Sequence, residues 1–403
     1  MDDDLQTPAA PATSARAIFA ASVVGMLVCC ICGTQFPALL RTIAREFDLD
    51  VAQRGRFFFC GPIGFMISTL LSGRLSDLWG RRVFVLAGFG SLGIGMLLAA
   101  SAAWDVMLMA GLFFIGGGSG FVMAPLTAAI SEAFTERRAS VVNALHVFAV
   151  SGAVSGPLIA GFVLWMGWAW RCAFLVGVAL AAVAWVTAFR VLPKGPARVS
   201  VADASSVPPR GGHGLVLFLC IAIFLYVGAE QAIIQWSANY LSLEFALPDE
   251  RAAPAVSGIW FGMVLGRALY VFLTRRFGYL PLVVASALLA ALAAAGAGLA
   301  GNARVAALLM CAAGFVMGGS WPTIVAYATH RRPHRMGTDM AFVVAAGALG
   351  PMTMPPLAGW LAKHTAYGLR AAMAVAVAGF LLEAIVLVGV WVGEGRITTA
   401  NGE

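Results

Sequence analysis

The stretch that decides the fold is Gly73-Arg74-Leu75-Ser76-Asp77-Leu78-Trp79-Gly80-Arg81-Arg82. It places charged residues between two long apolar runs, at about 55 to 75 and 82 to 102. Each run has the length of roughly 20 residues that an α-helix needs to cross a hydrocarbon core of about 30 Å. The stretch therefore predicts a short polar turn that joins two membrane-spanning helices.

The composition of the whole chain agrees with a membrane protein. Of its 403 residues, 61% are hydrophobic and only 11% are charged, and the mean hydropathy is +0.88. Such a chain has too little polar surface to cover a soluble globule. We expect an all-α membrane protein with twelve spans, at about 18 to 40, 55 to 75, 82 to 102, 106 to 132, 139 to 164, 171 to 192, 214 to 242, 253 to 274, 280 to 300, 304 to 329, 338 to 362 and 368 to 392.

The distribution of Lys and Arg predicts the orientation. Most of the 26 basic residues fall in the tails and in alternate connections on one side, such as Arg81-Arg82 and Arg137-Arg138. Cytoplasmic loops carry this excess, so tails 1–17 and 393–403 are predicted to be cytoplasmic and the protein to be multi-pass in the cell (inner) membrane. The net charge of +7 reflects the same bias, and we expect no nucleic-acid partner.

A polar segment divides the chain into two related halves, 18–192 and 214–392. This segment, 193–213, is rich in Pro and Gly, as in a flexible linker. Short motifs recur in the same order on both sides of it. Gly73-Arg74 before Arg81-Arg82 is matched by Gly266-Arg267 before Arg275-Arg276, and Gly152 to Pro157 is matched by Gly347 to Pro351. The pattern indicates an internal duplication, which is common in carriers.

The opening stretch resembles the loop signature of the major facilitator superfamily at nearly every defining position. The resemblance implies two six-helix bundles around a central cavity and transport by alternating access. Asp77 with Arg81 or Arg82 would then form a latch that holds one access state and releases in the other. We assign gating roles to Arg74, Asp77, Arg81, Arg82 and Arg267; a positive-inside loop without a moving part is the alternative.

The seventh span carries the richest set of polar residues. Gln231, Gln235, Asn239 and Ser242 share one helical stripe, and Trp236 and Tyr240 form a neighbouring aromatic pair. Amides beside aromatic faces suit a hydroxyl-rich or amide-bearing solute. The alternative is a polar seam between packed helices.

Glu230, His146 and Arg267 are ionisable residues placed inside spans, where such groups are costly and mark functional sites. Glu383, in the last span, has no assigned role. Glu230 and His146 are our candidates for carrying a proton or binding solute; each could instead be a packing residue bonded to a neighbouring helix. Arg267 would neutralise a solute carboxylate if it faced the cavity, whereas its match to Arg74 favours the cytoplasmic end and gating.

Residues in both halves resemble the fucose and glucose permease branch. They are Asn143 to Phe148, Tyr226 to Glu230, Gly258 to Gly262 with Gly266-Arg267, and Trp321 to Thr323. The resemblance implies proton-linked uptake of a sugar or similar polar solute. Fucose symporters have acids in the first and fourth helices, where this chain has Pro37 and Gly120, so coupling would need Glu230 or His146.

Our leading prediction is a secondary carrier of a small polar, sugar-like solute, with protons as a candidate coupling ion. The runner-up is a drug or metabolite exporter, favoured by the spacing of Gly152, Gly156 and Pro157. We expect a monomer in the bilayer, no enzyme activity, no cofactor and no metal site. The candidate solute contacts are Gln35, His146, Glu230, Gln231, Gln235, Asn239, Trp321 and Thr323.

Overall fold

A computed structural model describes residues 15–134, 138–195, 213–331 and 336–400. Its regular elements in these ranges are all helices, and twelve spans among them are long and apolar enough to cross a membrane. The prediction of an all-α membrane protein with twelve spans is confirmed. The helices are α1 (Ala15–Thr34), α2 (Phe36–Glu46), α3 (Val51–Trp79), α4 (Arg81–Ala100), α5 (Asp105–Ala133), α6 (Arg138–Trp165), α7 (Arg171–Val191), α8 (His213–Glu244), α9 (Asp249–Phe277), α10 (Tyr279–Gly298), α11 (Ala303–Met317), α12 (Ser320–Arg331), α13 (Met336–His364) and α14 (Arg370–Ala400).

Two spans that the sequence predicts as continuous are interrupted. The first consists of α1 and α2, which meet at Gln35, and the tenth consists of α11 and α12, which are separated by Gly318 and Gly319. Pro37 lies in the first turn of α2, where a proline has no N–H to donate and cannot continue the preceding helix. In a membrane such breaks occur where backbone is buried in protein or lines a cavity.

The two halves have the same packing order. In the first half, α1 packs on α6, α3 on α5, and α4 on α5 and α7. In the second half, α8 packs on α13, α9 on α11, and α10 on α11 and α14. The tight turns also correspond, because Gly80 (φ 90) joins α3 to α4 and Gly278 (φ 77) joins α9 to α10. Glycine adopts this left-handed backbone without steric cost, so the turn chemistry is repeated along with the helices.

The described contacts between the halves lie on one side of the molecule. We call the side that carries the α7 to α8 connection the linker side, and the opposite side the far side. At the far side α3 packs against α13, α6 against α9, and α2 against α8 and α9. The Ser257 hydroxyl donates to the Val154 carbonyl of the other half at 2.7 Å. Among the described residues, these contacts close the far side.

Close packing within each half depends on glycine. A Cβ atom at Gly266 on α9 would overlap the Phe315 carbonyl of α11, whereas a Cβ at Gly258 on the same helix would meet nothing within 4 Å. Small residues at helix crossings allow backbones in a membrane to approach closely. Gly266 is therefore a packing requirement, while Gly258 is not.

We expect Gly266→Ala to destabilise the protein by about 1 to 3 kcal/mol, because the methyl group forces α9 and α11 apart. The measurement is the thermal unfolding midpoint of the detergent-solubilised protein. Gly258→Ala is the matched control and should leave the midpoint unchanged or raise it slightly, because alanine has the better helix propensity. Equal midpoints for the two variants would contradict this account of the α9 to α11 contact.

Candidate solute and proton site

The polar stripe of α8 begins as a chain of hydrogen bonds. The Gln235 amide donates to the Gln231 oxygen at 3.1 Å, and the Gln231 amide donates to the Glu230 carboxyl at 3.1 Å. Glu230 is 7% exposed, and the two glutamines are half-buried. These three predicted site residues therefore form one connected group.

The far-side end of the stripe has a different role. Asn239 is buried and accepts a hydrogen bond from Arg54 of the first half at 3.3 Å. The Trp236 indole donates to the Pro355 carbonyl and packs edge-on against Phe58 of the first half. The Tyr240 hydroxyl donates to the Ala297 carbonyl. In this conformation these side chains pack the bundle and close the far side, and both rings of the aromatic pair are fully buried.

Arg267 occupies the interior of α9, well before the helix ends at Phe277. Its Nε donates to the Gly318 carbonyl, at the break in the tenth span, at 2.8 Å. Its charge acts electrostatically on Glu230 of its own half and on Cys30 and His146 of the other half. The guanidinium makes no ion pair with any described carboxylate. Arg267 therefore lies inside the helix and not at the helix end that its match to Arg74 predicts, and its gating role stays a prediction.

His146 lies on α6, opposite Arg267, and is half-buried. The charge of Arg267 reaches both His146 and Cys30 on α1, so the first half contributes an imidazole and a thiol to the same region. The side chain of Asn143, one turn away, lies outside the described part of the structure. Hydrogen bonds join Glu230, Gln231 and Gln235, whereas Arg267 and His146 relate to them through charge alone; we call these five residues the central cluster, and their role as one site stays a prediction.

Gln35 is an unusual buried amide. It lies at the break between α1 and α2 and is 0% exposed, yet neither its amide nitrogen nor its oxygen has a hydrogen-bond partner among the described residues. A buried amide without partners costs free energy. The Gln35 side chain therefore has a donor and an acceptor that no described residue uses. Its role as a polar contact of the solute stays a prediction.

The two candidates on α12 differ in what they can offer. The Thr323 hydroxyl is 5% exposed and donates to the Gly319 carbonyl of its own chain segment at 2.6 Å. Trp321 is partly buried and packs against the hydrophobic core. In this conformation the Thr323 hydroxyl already donates within its own helix. The roles of Thr323 and Trp321 as solute contacts stay predictions.

Trp260 is a candidate that the sequence reasoning missed. It precedes Arg267 by two helical turns on α9 and shares a face with Ser257, which contacts the first half. Its indole N–H is buried without a described acceptor. The seven-residue spacing between Trp260 and Arg267 could have identified this face.

A sequence model of the Major Facilitator Superfamily matches residues 21–269 and 219–401, together nearly the whole chain. This chain belongs to the Major Facilitator Superfamily.

Relatives of this superfamily member carry several different solutes. It is 31% identical over 170 residues to a triacylglyceride transporter of Mycolicibacterium hassiacum, covering 42% of this chain and only 31% of that relative's length. It is 28% identical over 340 residues to the 3-(3-hydroxy-phenyl)propionate transporter of Escherichia coli, covering 79% of each chain. A solved nucleoside transporter superposes with a TM-score of 0.77 at 11% identity, over 93% of this chain and 99% of that one, which shows the shared fold.

The signature loop of the superfamily bonds within its own half in this conformation. Arg81 pairs with Glu132 of α5, with a distance of 3.0 Å from Nε to Oε2. Arg82 donates to the Phe189 carbonyl of α7 and lies over the Phe189 ring. The side chains of Arg74 and Asp77 lie outside the described residues. The gating roles of this loop stay predictions.

A group of charged residues around Asp249 also closes the far side of this superfamily member. Asp249, whose side chain is 10% exposed, binds Arg41 at 2.9 Å, Arg45 at 2.6 Å and the Thr42 hydroxyl at 3.0 Å across the two halves. We call Asp249 with these three partners the far-side lock. The sequence reasoning counted the arginines as outer-loop charges and did not pair them.

A second ion pair near the far-side lock also joins the halves. Asp50 caps α3 and binds Lys363 of α13 at 2.8 Å. The Lys363 ammonium, aided by the Gln53 backbone N–H, holds the pKa of the Asp50 carboxyl below its usual value. The contribution of this pair is therefore complete above the usual aspartate pKa and is lost as the pH falls through the lowered value. The pair persists at neutral pH.

We expect Asp249→Asn to weaken closure of the far side by about 2 kcal/mol, because two arginines lose their anion. The measurement is the distance between spin labels on Ala103→Cys and Leu299→Cys, exposed positions of the two halves, in a background without native cysteines. The variant should add a longer-distance population. Asp105→Asn, which removes the pairing of Asp105 with Arg56 inside the first half, is the control and should not. An unchanged distribution in Asp249→Asn would disprove the lock.

Proposed function

We propose that this protein is a secondary carrier that moves a small polar organic solute together with a proton across the cell membrane. The linker side and both termini would be cytoplasmic, as the distribution of basic residues predicts. The observation that carries the proposal is Arg267, a guanidinium in the interior of α9 whose Nε binds the Gly318 carbonyl and which forms no ion pair with a described carboxylate. A cation in a membrane interior needs a negative partner, and the carrier's solute can supply it.

The charge of Arg267 favours a carboxylate-bearing solute over a neutral sugar. A sugar would leave the guanidinium without an anion when Glu230 is protonated, whereas a carboxylate can accept two parallel hydrogen bonds from the Nη atoms. The Escherichia coli relative is named for a propionate with a phenyl ring, which is such a carboxylate. Trp260, on the same face, offers an aromatic surface and an unpartnered N–H beside it.

The same geometry couples the solute to a proton. In the empty carrier the charge of Arg267 attracts ionised Glu230. A solute carboxylate that takes this guanidinium leaves Glu230 buried without its counter-ion, and a buried carboxyl without a counter-ion favours its neutral form. Solute binding and proton binding therefore favour each other, and by linkage the reverse holds. Such a pair of linked sites gives symport.

The exporter alternative has less support. Its motif residue Gly152 packs against α1, where a Cβ would come within 3.0 Å of the Leu27 backbone. Close helix packing is sufficient to explain this glycine. An apolar lipid, suggested by the triacylglyceride transporter relatives, would leave the charges of the central cluster unpaired.

The proposal is tested by counterflow in proteoliposomes loaded with radiolabelled solutes. The panel contains aromatic and aliphatic monocarboxylates, neutral sugars and cationic dyes. Exchange of a monocarboxylate is the expected result. Exchange of sugars alone would overturn the carboxylate assignment, and dye efflux without exchange of either class would favour the exporter.

We expect Arg267→Gln to raise the KM for the exchanged carboxylate at least about tenfold, corresponding to about 1.4 kcal/mol, because the charged bidentate contact is lost. Arg267→Lys keeps the charge but loses the planar guanidinium with its paired donors. Its KM should therefore lie between those of the unmodified protein and Arg267→Gln. Arg304→Gln, at an exposed position at the start of α11, is the matched control. A KM that does not change in Arg267→Gln would remove this residue from the solute site.

We expect Glu230→Gln to abolish solute accumulation driven by a pH gradient while counterflow continues, because the amide cannot take up a proton. Uptake under an imposed gradient is compared with exchange at equal pH. The control is Glu250→Gln, in the first turn of α9. Accumulation at the level of the unmodified protein would exclude Glu230 as the coupling residue.

A further inference from the structure

The carboxylate of Asp249 is bound by a set of donors that suits carboxylates in general. Its Oδ1 accepts a hydrogen bond from Arg41 at 2.9 Å, and its Oδ2 accepts from Arg45 at 2.6 Å and from the Thr42 hydroxyl at 3.0 Å. Guanidinium donors to both oxygens are a strong way to bind a carboxylate. All three donors lie on α2 of the first half, whereas Asp249 lies in the first turn of α9 in the second half. We call Arg41, Thr42 and Arg45 the α2 cradle.

The α2 cradle is fixed to the first half independently of Asp249. Glu46, the last residue of α2, accepts hydrogen bonds from the Trp170 indole at 2.6 Å and from Arg171 at 2.9 Å, both at the start of α7. The Phe47 ring packs edge-on against Trp170 beside them. In alternating access the halves move largely as rigid bodies. Opening of the far side therefore takes Asp249 away and leaves the three donors in place on the first half.

Positive charge near the α2 cradle exceeds what Asp249 can neutralise. The guanidinium of Arg54, at the start of α3, donates to the Leu49 carbonyl at 3.2 Å and to the Asn239 amide oxygen at 3.3 Å, and it bonds to no described carboxylate. It is close enough to interact electrostatically with Asp249 and with both arginines of the cradle. Three guanidinium groups thus share one carboxylate in the described part of the chain. Segments outside the cytoplasm usually carry few basic residues, so this excess requires an explanation of its own.

We propose that the α2 cradle is an entry site for the carboxylate of the solute, and that Asp249 occupies this site while the far side is closed. When the far side opens, the carboxylate of an external solute binds Arg41 and Arg45, and Arg54 adds positive charge that attracts it. When the far side closes, Asp249 returns to the cradle and displaces the solute into the bundle. There Arg267 is a further guanidinium without a described carboxylate partner. Asp249 is thus a competitor of the solute that the protein itself supplies.

The proposal rests on the proposed function, which makes the transported solute a carboxylate, and adds a second place where this carboxylate binds. A lock without a binding site and a lock that is also a binding site differ in what an external carboxylate does. It competes with Asp249 only in the second case, and a ligand that binds the open form must increase its population. Removal of Asp249 must then strengthen carboxylate binding, whereas removal of an arginine of the cradle must weaken it.

The first test uses the spin labels on Ala103→Cys and Leu299→Cys in the protein without native cysteines, with Arg267→Gln added to disable the central carboxylate contact. The probe is benzoate, and benzamide, an uncharged molecule of nearly the same shape, is its control. Benzoate should increase the longer-distance population at least about twofold, because it binds only the open form, and benzamide should not. Sodium chloride at the same concentration controls for screening of the lock by salt. No change with benzoate, or an equal change with chloride, would overturn the proposal.

The second test compares two variants that break the same ion pair from opposite sides, by calorimetric titration with benzoate in the Arg267→Gln protein. Asp249→Asn should lower the Kd at least about tenfold, because the cradle is free in a larger fraction of the molecules. Arg45→Gln also breaks the pair but removes a donor, so its Kd should be at least about tenfold higher than that of Asp249→Asn. Equal Kd values for the two variants would show a lock without a binding site. The first test uses neither variant and decides the proposal if one of them does not fold.

Failure of this inference and failure of the proposed function give different results. If Arg267 does not bind the solute, Arg267→Gln leaves the KM for the exchanged carboxylate unchanged, while benzoate still separates the spin labels. If the α2 cradle binds no external carboxylate, benzoate leaves the labels at their closed distance, while the effect of Arg267→Gln on the KM remains.

Discussion

The charge of Arg267 inside the bundle is the constraint on which the rest of the site depends. A guanidinium cannot lose its proton and cannot remain unpaired in a low-dielectric interior at low cost. Its Nε is held by a carbonyl that the break in the tenth span makes available. The remaining nitrogens need an anion, and the neighbouring groups, Glu230 above all, are arranged around that need. The break in the tenth span and a guanidinium without a carboxylate partner in the described part of the chain thus belong to one arrangement.

Charged and aromatic contacts between the halves close the far side of the bundle. The far-side lock and the Asp50 to Lys363 pair hold the ends of the halves together, while Trp236 and Phe58 fill the gap beneath them. The polar residues that the sequence pattern places on one stripe of α8 therefore have different roles at different positions along the helix. Gln231 and Gln235 belong to the central cluster, and Asn239 belongs to the closure.

Both the helix packing and the candidate site depend on a glycine at the contact between α9 and α11. Gly266 lets α9 approach α11 closely. This approach brings the side chain of the next residue, Arg267, to the Gly318 carbonyl. The site thus depends on the packing contact beside it. A substitution at Gly266 that displaces α9 therefore also displaces Arg267.

The sequence by itself determined the spans, the two halves, the turn at Gly80 and the polar character of α8, because these depend on local hydrophobicity and on residue types. It also placed Gln231 and Gln235 on one helical stripe, since helical spacing fixes which side chains are neighbours, but it extended that stripe to Asn239 and treated Glu230 separately. The tertiary structure decided which carbonyl Arg267 binds, which arginines Asp249 binds, and that Asn239 bonds to Arg54 of the first half. These pairings join residues that are far apart in the chain, and helix periodicity carries no information about which face of one helix meets which face of another.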